Sequence, residues 1–238
     1  MRDRSAEILL AAIKEHIHSG EPISSGDLYG RYDFGIKPAM IRMELLDLTD
    51  QGFLEQPYHS AGRVPTDRGY KFFAQEMLNE APADPHSEIW ETMLAKHNWN
   101  DFLENFSKTM GMAGVLVDET LRNIHRGGLR YLFENLDPAE DQGELAQVVE
   151  DFEDIGSHLP KAIDMFGEDF CEVLVGRNPL TYSDRLSVMA ADYDVGGRKV
   201  FFFAIGPKRM DYEKTAKALK GLKEKSTKKK AIKKHGSK

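Results

Sequence analysis

The chain has 238 residues, 41% of them hydrophobic, with a formal net charge of −7 and a single cysteine. That length allows one or two domains with ordinary cores, and one cysteine excludes an internal disulfide. No apolar run approaches the roughly 18 residues of a membrane span, and the first apolar segment is amphipathic rather than a continuous signal-peptide core, so a soluble cytoplasmic protein is expected.

Arg4 to Ser19 places Ile8, Leu9, Ala12, Ile13 and Ile17 on one face at helical spacing, with Gly20 as the stop. Ser24 or Ser25 suits the N-cap of a short second helix with Leu28 inward, ended by the polar turn Tyr32 to Gly35. Pro38 fits the first turn of a third helix whose buried stripe is Ile41, Leu45 and Leu48, which leaves Lys37, Met40, Arg42, Met43 and Glu44 toward the open side. Gly52 follows that helix. The stretch GFLEQPYHSAGRVPTDRGY then reads as strand, loop, strand and the start of a helix capped by Thr66. Three helices and a hairpin in this order predict a winged helix-turn-helix over residues 1–80, whose usual ligand is duplex DNA.

After a linker or helical connection at 81–100, the second half predicts an α+β unit over 101–222. A helix and strand cover Phe102 to Val117, with helical stretches at Leu129 to Leu136, Leu145 to Ile155 and His158 to Phe166. Strands are expected at Phe170 to Val175, Leu186 to Tyr193 and Arg198 to Ile205, the last two joined by a tight turn through Gly196 and Gly197. A helix spans Met210 to Leu222. The lysine-rich tail 223–238 is expected to be disordered, either a phosphate anchor or a solvated end.

The runs EPISSGDLYGRYDFGIKPAMIR, GFLEQPYHSAGRVPTDRGYKFF and YDVGGRKVFFFAIGPKRMDY resemble the bacterial heat-inducible transcription repressor (HrcA) family. The resemblance covers most of residues 4–78 and, more loosely, 102–138 and 168–219. It implies a repressor of chaperone genes that binds an inverted-repeat operator as a homodimer and depends on the chaperonin. It also implies that the second unit is a reduced GAF-like regulatory or assembly domain with a small antiparallel sheet. Where the family pattern resembles SPATIRNE, this chain has Lys37, Pro38, Ala39, Met40, Ile41, Arg42, Met43 and Glu44, so Arg42 is kept while polar readers at 40 and 43 are replaced by methionine. A methionine can touch a thymine methyl but cannot hydrogen-bond adenine. The family's inserted dimerisation segment is largely missing from the middle of this chain, which bears on operator spacing.

The expected DNA-binding set is therefore Lys37, Met40, Arg42 and Met43 on the third helix, with Tyr58, His59, Ser60 and Arg63 in the wing. Ser24 and Ser25 serve as helix caps first and phosphate contacts second. Charge is unevenly spread: residues 1–78 hold nine basic and twelve acidic side chains, 79–204 ten and twenty-four, and 205–238 thirteen and three. Binding by the first segment thus requires Lys37, Arg42, Arg63, Arg68 and Lys71 to gather on one face while Asp27, Asp47, Asp50 and Glu55 lie elsewhere. An enzyme is disfavoured: no nucleophile elbow, phosphate loop, paired-cysteine motif or HExxH occurs, the histidines are scattered, and no cofactor or metal is expected. The competing class is a winged-helix protein-interaction module without sequence-specific DNA binding.

Overall fold

The structure, a computed structural model, describes residues 3–82, 84, 87–119, 123–136, 142–167 and 169–235, with backbone alone for 142 and 224–235. It comprises two units, Met1–Ala74 with Arg209–Asp211 and Gln75–Lys208 with Tyr212–Lys238.

In the first unit α1 (Asp3–Ser19) buries Ile8, Leu9, Ala12 and Ile13 as its spacing predicts, and His16 is buried while Ile17 is only half-buried. The His16 ring sits beside Tyr70 and its Nδ1 bonds the Glu21 carbonyl at 2.8 Å. Helix α2 (Ser25–Arg31) opens with a reciprocal cap: the Ser24 hydroxyl accepts from the Asp27 N–H, and the Asp27 carboxylate accepts from the Ser24 N–H at 2.9 Å. Hydrogen bonds donated by the Ser24 hydroxyl, at 2.6 Å, and by its N–H hold the Asp27 carboxyl below its ordinary range. At the other end Arg31 and Tyr32 both meet Glu15 of α1, and burial with that carboxylate pushes the Tyr32 phenol up to about 12. Helix α3 (Pro38–Asp50) has proline in its first turn and packs Ile41, Leu45 and Leu48 inward. Strands β1 (Leu54–Glu55) and β2 (Val64–Pro65) pair antiparallel over two residue pairs, and α4 (Asp67–Glu80) follows.

The second unit is a five-stranded antiparallel sheet with helices on both faces. Its strands are β3 (Ala113–Asp118), β4 (Asn123–Gly127), β5 (Cys171–Val175), β6 (Leu186–Val195) and β7 (Arg198–Pro207), in spatial order β4-β3-β7-β6-β5. Alternate residues Val115, Val188 and Phe203 face a core closed by α7 (Leu129–Phe133) and α8 (Gln142–Ile163), with Leu132, Val148, Ile155 and Leu159. On the opposite face Phe102 and Phe106 of α6 (Trp99–Met110) meet Phe202 edge-on, and Tyr212 of α9 (Tyr212–His235) bonds the Ser187 hydroxyl of β6. Gly196 and Gly197, both at positive φ, make the two-residue turn that the Gly-Gly pair predicts, with Val195 opposite Arg198.

Several expectations need correction. The two helices expected at 145–155 and 158–166 are one helix, α8, which carries Pro160 inside it. Its apolar stripe against the sheet outweighs the one backbone bond the proline removes. Of the linker or helical connection expected at 81–100, residues 88–95 form a helix: α5 (Glu88–Ala95) buries Trp90 and Leu94, and Trp90 donates to Asn105 of α6 at 2.8 Å. Strand β4 is not among the expected strands, because its exposed edge lacks apolar alternation. The tail expected to be disordered continues α9 as helix to His235, since lysine and alanine favour helix and neither Gly nor Pro interrupts 222–235; residues 236–238 of that tail lie outside the described residues. Cys171 is half-buried, its thiol pushed up to about 11 by burial, in keeping with an unreactive reduced side chain.

Burial lowers the His16 imidazole below its ordinary 6.5, against the smaller opposing effect of the Glu21 carbonyl. A neutral ring is thus favoured by folding, so stability is full above the ordinary value and falls as pH drops through it. Protection factors of the α1 amides, taken relative to intrinsic exchange at each pH, are expected to fall from about pH 7 to pH 5 in the wild-type chain, and His16→Gln is expected to flatten that dependence.

Candidate nucleic-acid interface

The surface begins with α3. Its buried stripe leaves Met40, Met43 and Leu46 as exposed apolar side chains and Arg42, Asp47 and Asp50 as exposed charged ones. Lys37 is the N-cap and makes no side-chain cap bond; Pro38 carries no N–H, and the Met40 N–H bonds the Lys37 carbonyl at 2.9 Å. Among the described residues neither Lys37 nor Arg42 has an ion-pair or hydrogen-bond partner on its side chain. The nearest carboxylate in sequence, Glu44, instead accepts from Ser5 of α1 at 2.7 Å.

The hairpin is fixed to the far end of the same helix. Arg63 Nε donates to Thr49 Oγ1 at 2.9 Å, and its backbone forms a two-bond bridge with Ile23, at 2.8 and 2.9 Å. Seven residues separate Arg42 from Thr49, close to two full helical turns, so both lie on one stripe of α3 about 10 Å apart along the axis. The side of α3 that holds the wing is therefore the side on which Arg42 stands. Arg63 is not a wing-tip cation; it sits at the base of the hairpin, half-buried, as a strut between β2 and α3.

The tip consists of Tyr58, His59 and Ser60, all exposed, in a turn closed by bonds from the Ser60 and Ala61 N–H groups to the Tyr58 carbonyl. Tyr58 stands clear of the core instead of packing on it, at 63% exposure. Gly62 is required by close packing: a Cβ there would lie 2.6 Å from the Ile23 carbonyl. Gly69 likewise would clash at 2.2 Å with the Phe53 carbonyl. Thr66 accepts from the Gly69 N–H and donates to Gly52 and Phe53 carbonyls, capping α4. Arg68, counted with the basic set, donates to the Gln51 carbonyl at the end of α3 and stacks 4.2 Å over Phe53.

The structure thus puts Lys37, Met40, Arg42 and Met43 on one exposed helix end and Tyr58, His59 and Ser60 on one exposed tip. Ser24 is exposed but committed to its cap, and Ser25 is half-buried at the start of α2. Asp47 and Asp50 are also exposed on α3, about 140° and 80° around the helix from Arg42. Sequence reasoning missed Thr49, the partner of Arg63; its helix position gives no sign of a distant donor. Among the described residues no three His, Cys, Asp or Glu side chains are grouped to hold a metal ion, and no helix is long and apolar enough to cross a membrane.

Gly62→Ala is expected to destabilise the first unit by about 1–3 kcal/mol through the clash with Ile23 backbone. His59→Ala at the exposed tip is expected to stay within about 0.5 kcal/mol, and urea denaturation of both variants measures the contrast.

Comparison with known proteins bears on the identity of the chain. The family described as HrcA protein C terminal domain matches residues 70–216. The heat-inducible transcription repressor HrcA of Natranaerobius thermophilus is 45% identical over 117 residues, 49% of this chain and 34% of that protein. Its namesake from Moorella thermoacetica is 41% identical over 119 residues, 50% of this chain and 33% of that protein. The matched region spans about a third of the length of these relatives. A crystal structure of a hypothetical protein shares the fold, with a TM-score of 0.70 at 17% identity over 96% of this chain and 98% of that one. With the family match covering well over half of its residues, the chain belongs to the HrcA family.

Proposed function

We propose that this protein is a sequence-specific DNA-binding transcriptional repressor of heat-shock and chaperone genes, acting in the cytoplasm as a homodimer on an inverted-repeat operator. The observation that carries the reading is Arg42, an exposed arginine without a partner among the described residues, on the stripe of α3 to which the wing is tied. A guanidinium there has its donors available for the O6 and N7 acceptors of a guanine. The exposed Lys37 suits a phosphate, and the exposed tip at Tyr58 to Ser60 suits the neighbouring backbone. The relatives named as heat-inducible transcription repressors support the same reading.

Repression on this reading is steric. A dimer seated over promoter DNA excludes polymerase, and loss of the DNA-competent state on heating, or on withdrawal of the chaperonin, releases the gene. A second reading, a winged-helix module that binds protein, is favoured by the exposure of Met40, Met43 and Leu46 on the same helix.

Selection of bound fragments from random duplex DNA separates the two readings. A repressor returns a recurring motif with paired half-sites, whereas an interaction module returns none. With the selected site, Arg42→Ala is expected to weaken binding by about 1–3 kcal/mol and to relax preference at one guanine, read in gel-shift titrations at fixed salt.

A further inference from the structure

The charges along α3 run against the helix. Lys37 caps its N-terminal end and Arg42 lies in its first half, while Asp47 and Asp50 occupy the last turns, where no basic residue of the helix itself is found. The macrodipole favours the reverse arrangement, so each of these placements weakens the helix. No compensating pair explains them: among the described residues neither aspartate side chain has an ion-pair or hydrogen-bond partner. The two arginines brought to that end are engaged elsewhere, Arg63 with Thr49 and Arg68 with the Gln51 carbonyl and the Phe53 ring.

Helical geometry gives the carboxylates a direction. At 100° per residue, the side opposite Ile41, Leu45 and Leu48 is occupied by Met43, Leu46, Asp47 and Asp50. The outward face is therefore apolar in its first half and anionic in its second. Resting on the DNA-binding reading above, we infer that α3 enters the major groove by its N-terminal half alone, and that Asp47 and Asp50 are specificity-determining residues that act by repulsion. Carboxylates held toward phosphates penalise any seating of α3 flat along the groove. Binding to arbitrary duplex, which depends on phosphate neutralisation, is weakened most by that penalty. The intended site offsets it through contacts from Arg42 to guanine and from Met40 and Met43 to thymine methyls. The ligand class for this end of the helix is then a short half-site combining a guanine with neighbouring thymines.

The test uses the full chain with Asp47→Asn and Asp50→Asn together. Both positions are exposed, and circular dichroism checks that the fold is kept. Gel-shift titrations across salt compare a random-sequence duplex with the duplex selected by the wild-type chain. The expected result is at least about threefold tighter binding to the random duplex at low salt, a smaller gain on the selected duplex, and unchanged base preference. Unchanged affinity for the random duplex overturns the inference. So does weaker binding to the selected duplex with loss of preference at a C·G pair, which would show the carboxylates accepting from cytosine. A wild-type chain that selects no sequence at all sinks the repressor reading itself, an outcome distinct from a wild type that selects a site its Asn variant binds unchanged.

Discussion

The first unit depends on how a very short hairpin is held. Two residue pairs, Leu54 with Pro65 and Glu55 with Val64, are too little ladder to fix a wing, since an isolated hairpin is marginal in water even when longer. Fixation comes from Arg63, which reaches Ile23 through its backbone and Thr49 through its guanidinium. Gly62 permits the first of these by letting the chain pass within a distance that a methyl group would forbid. The hairpin base is thereby tied both to the segment before α2 and to the end of α3, so the wing and the helix face beside it share one frame.

That arrangement changes the meaning of the most distinctive segment, HSAGRVPTDRGY. Read as a motif it suggests a row of DNA contacts. In place, most of it is joinery: Gly62 against Ile23, Arg63 on Thr49, Thr66 across the turn to Gly52 and Phe53, Arg68 on Gln51, Gly69 beneath Phe53. Such residues are constrained by geometry whatever the ligand, whereas Met40, Arg42, Met43 and Tyr58 are exposed among the described residues. A segment that identifies a fold need not be the segment that reads the partner.

Periodicity and local chemistry made part of the fold legible in advance. The stripe of α3, the Ser24 cap, the Gly196-Gly197 turn and strands β6 and β7 all depend on neighbours a few residues away, and the structure agrees with each. Features that depend on distant partners stayed hidden. Thr49 looks like a polar helix residue until Arg63 arrives, fourteen positions later. Glu44 looks like a partner for Arg42 until Ser5 takes it. Pro160 reads as a break until the sheet supplies enough apolar surface to carry α8 past it, with Ile155 and Leu159 both buried there. The edge strand β4 was hidden for the opposite reason: none of its residues is buried, so no apolar alternation marks it.

The exposed half of α3 has no internal purpose that would account for its composition. A helix face serving only solubility would carry lysine and glutamate in mixed order; this one carries methionines, an arginine and a lysine at one end and two aspartates at the other. Methionine exposed to water forgoes the benefit of burial and offers a flexible, polarisable surface only to something that covers it. Replacing polar readers by methionine shifts recognition from hydrogen bonding toward shape and methyl contact, where discrimination per contact is weaker and wrong partners are less strongly rejected. A surface of that kind gains selectivity from repulsion more readily than from further attraction. The carboxylates of Asp47 and Asp50, without partners among the described residues, supply repulsion at the rear of the same face where the basic end does not.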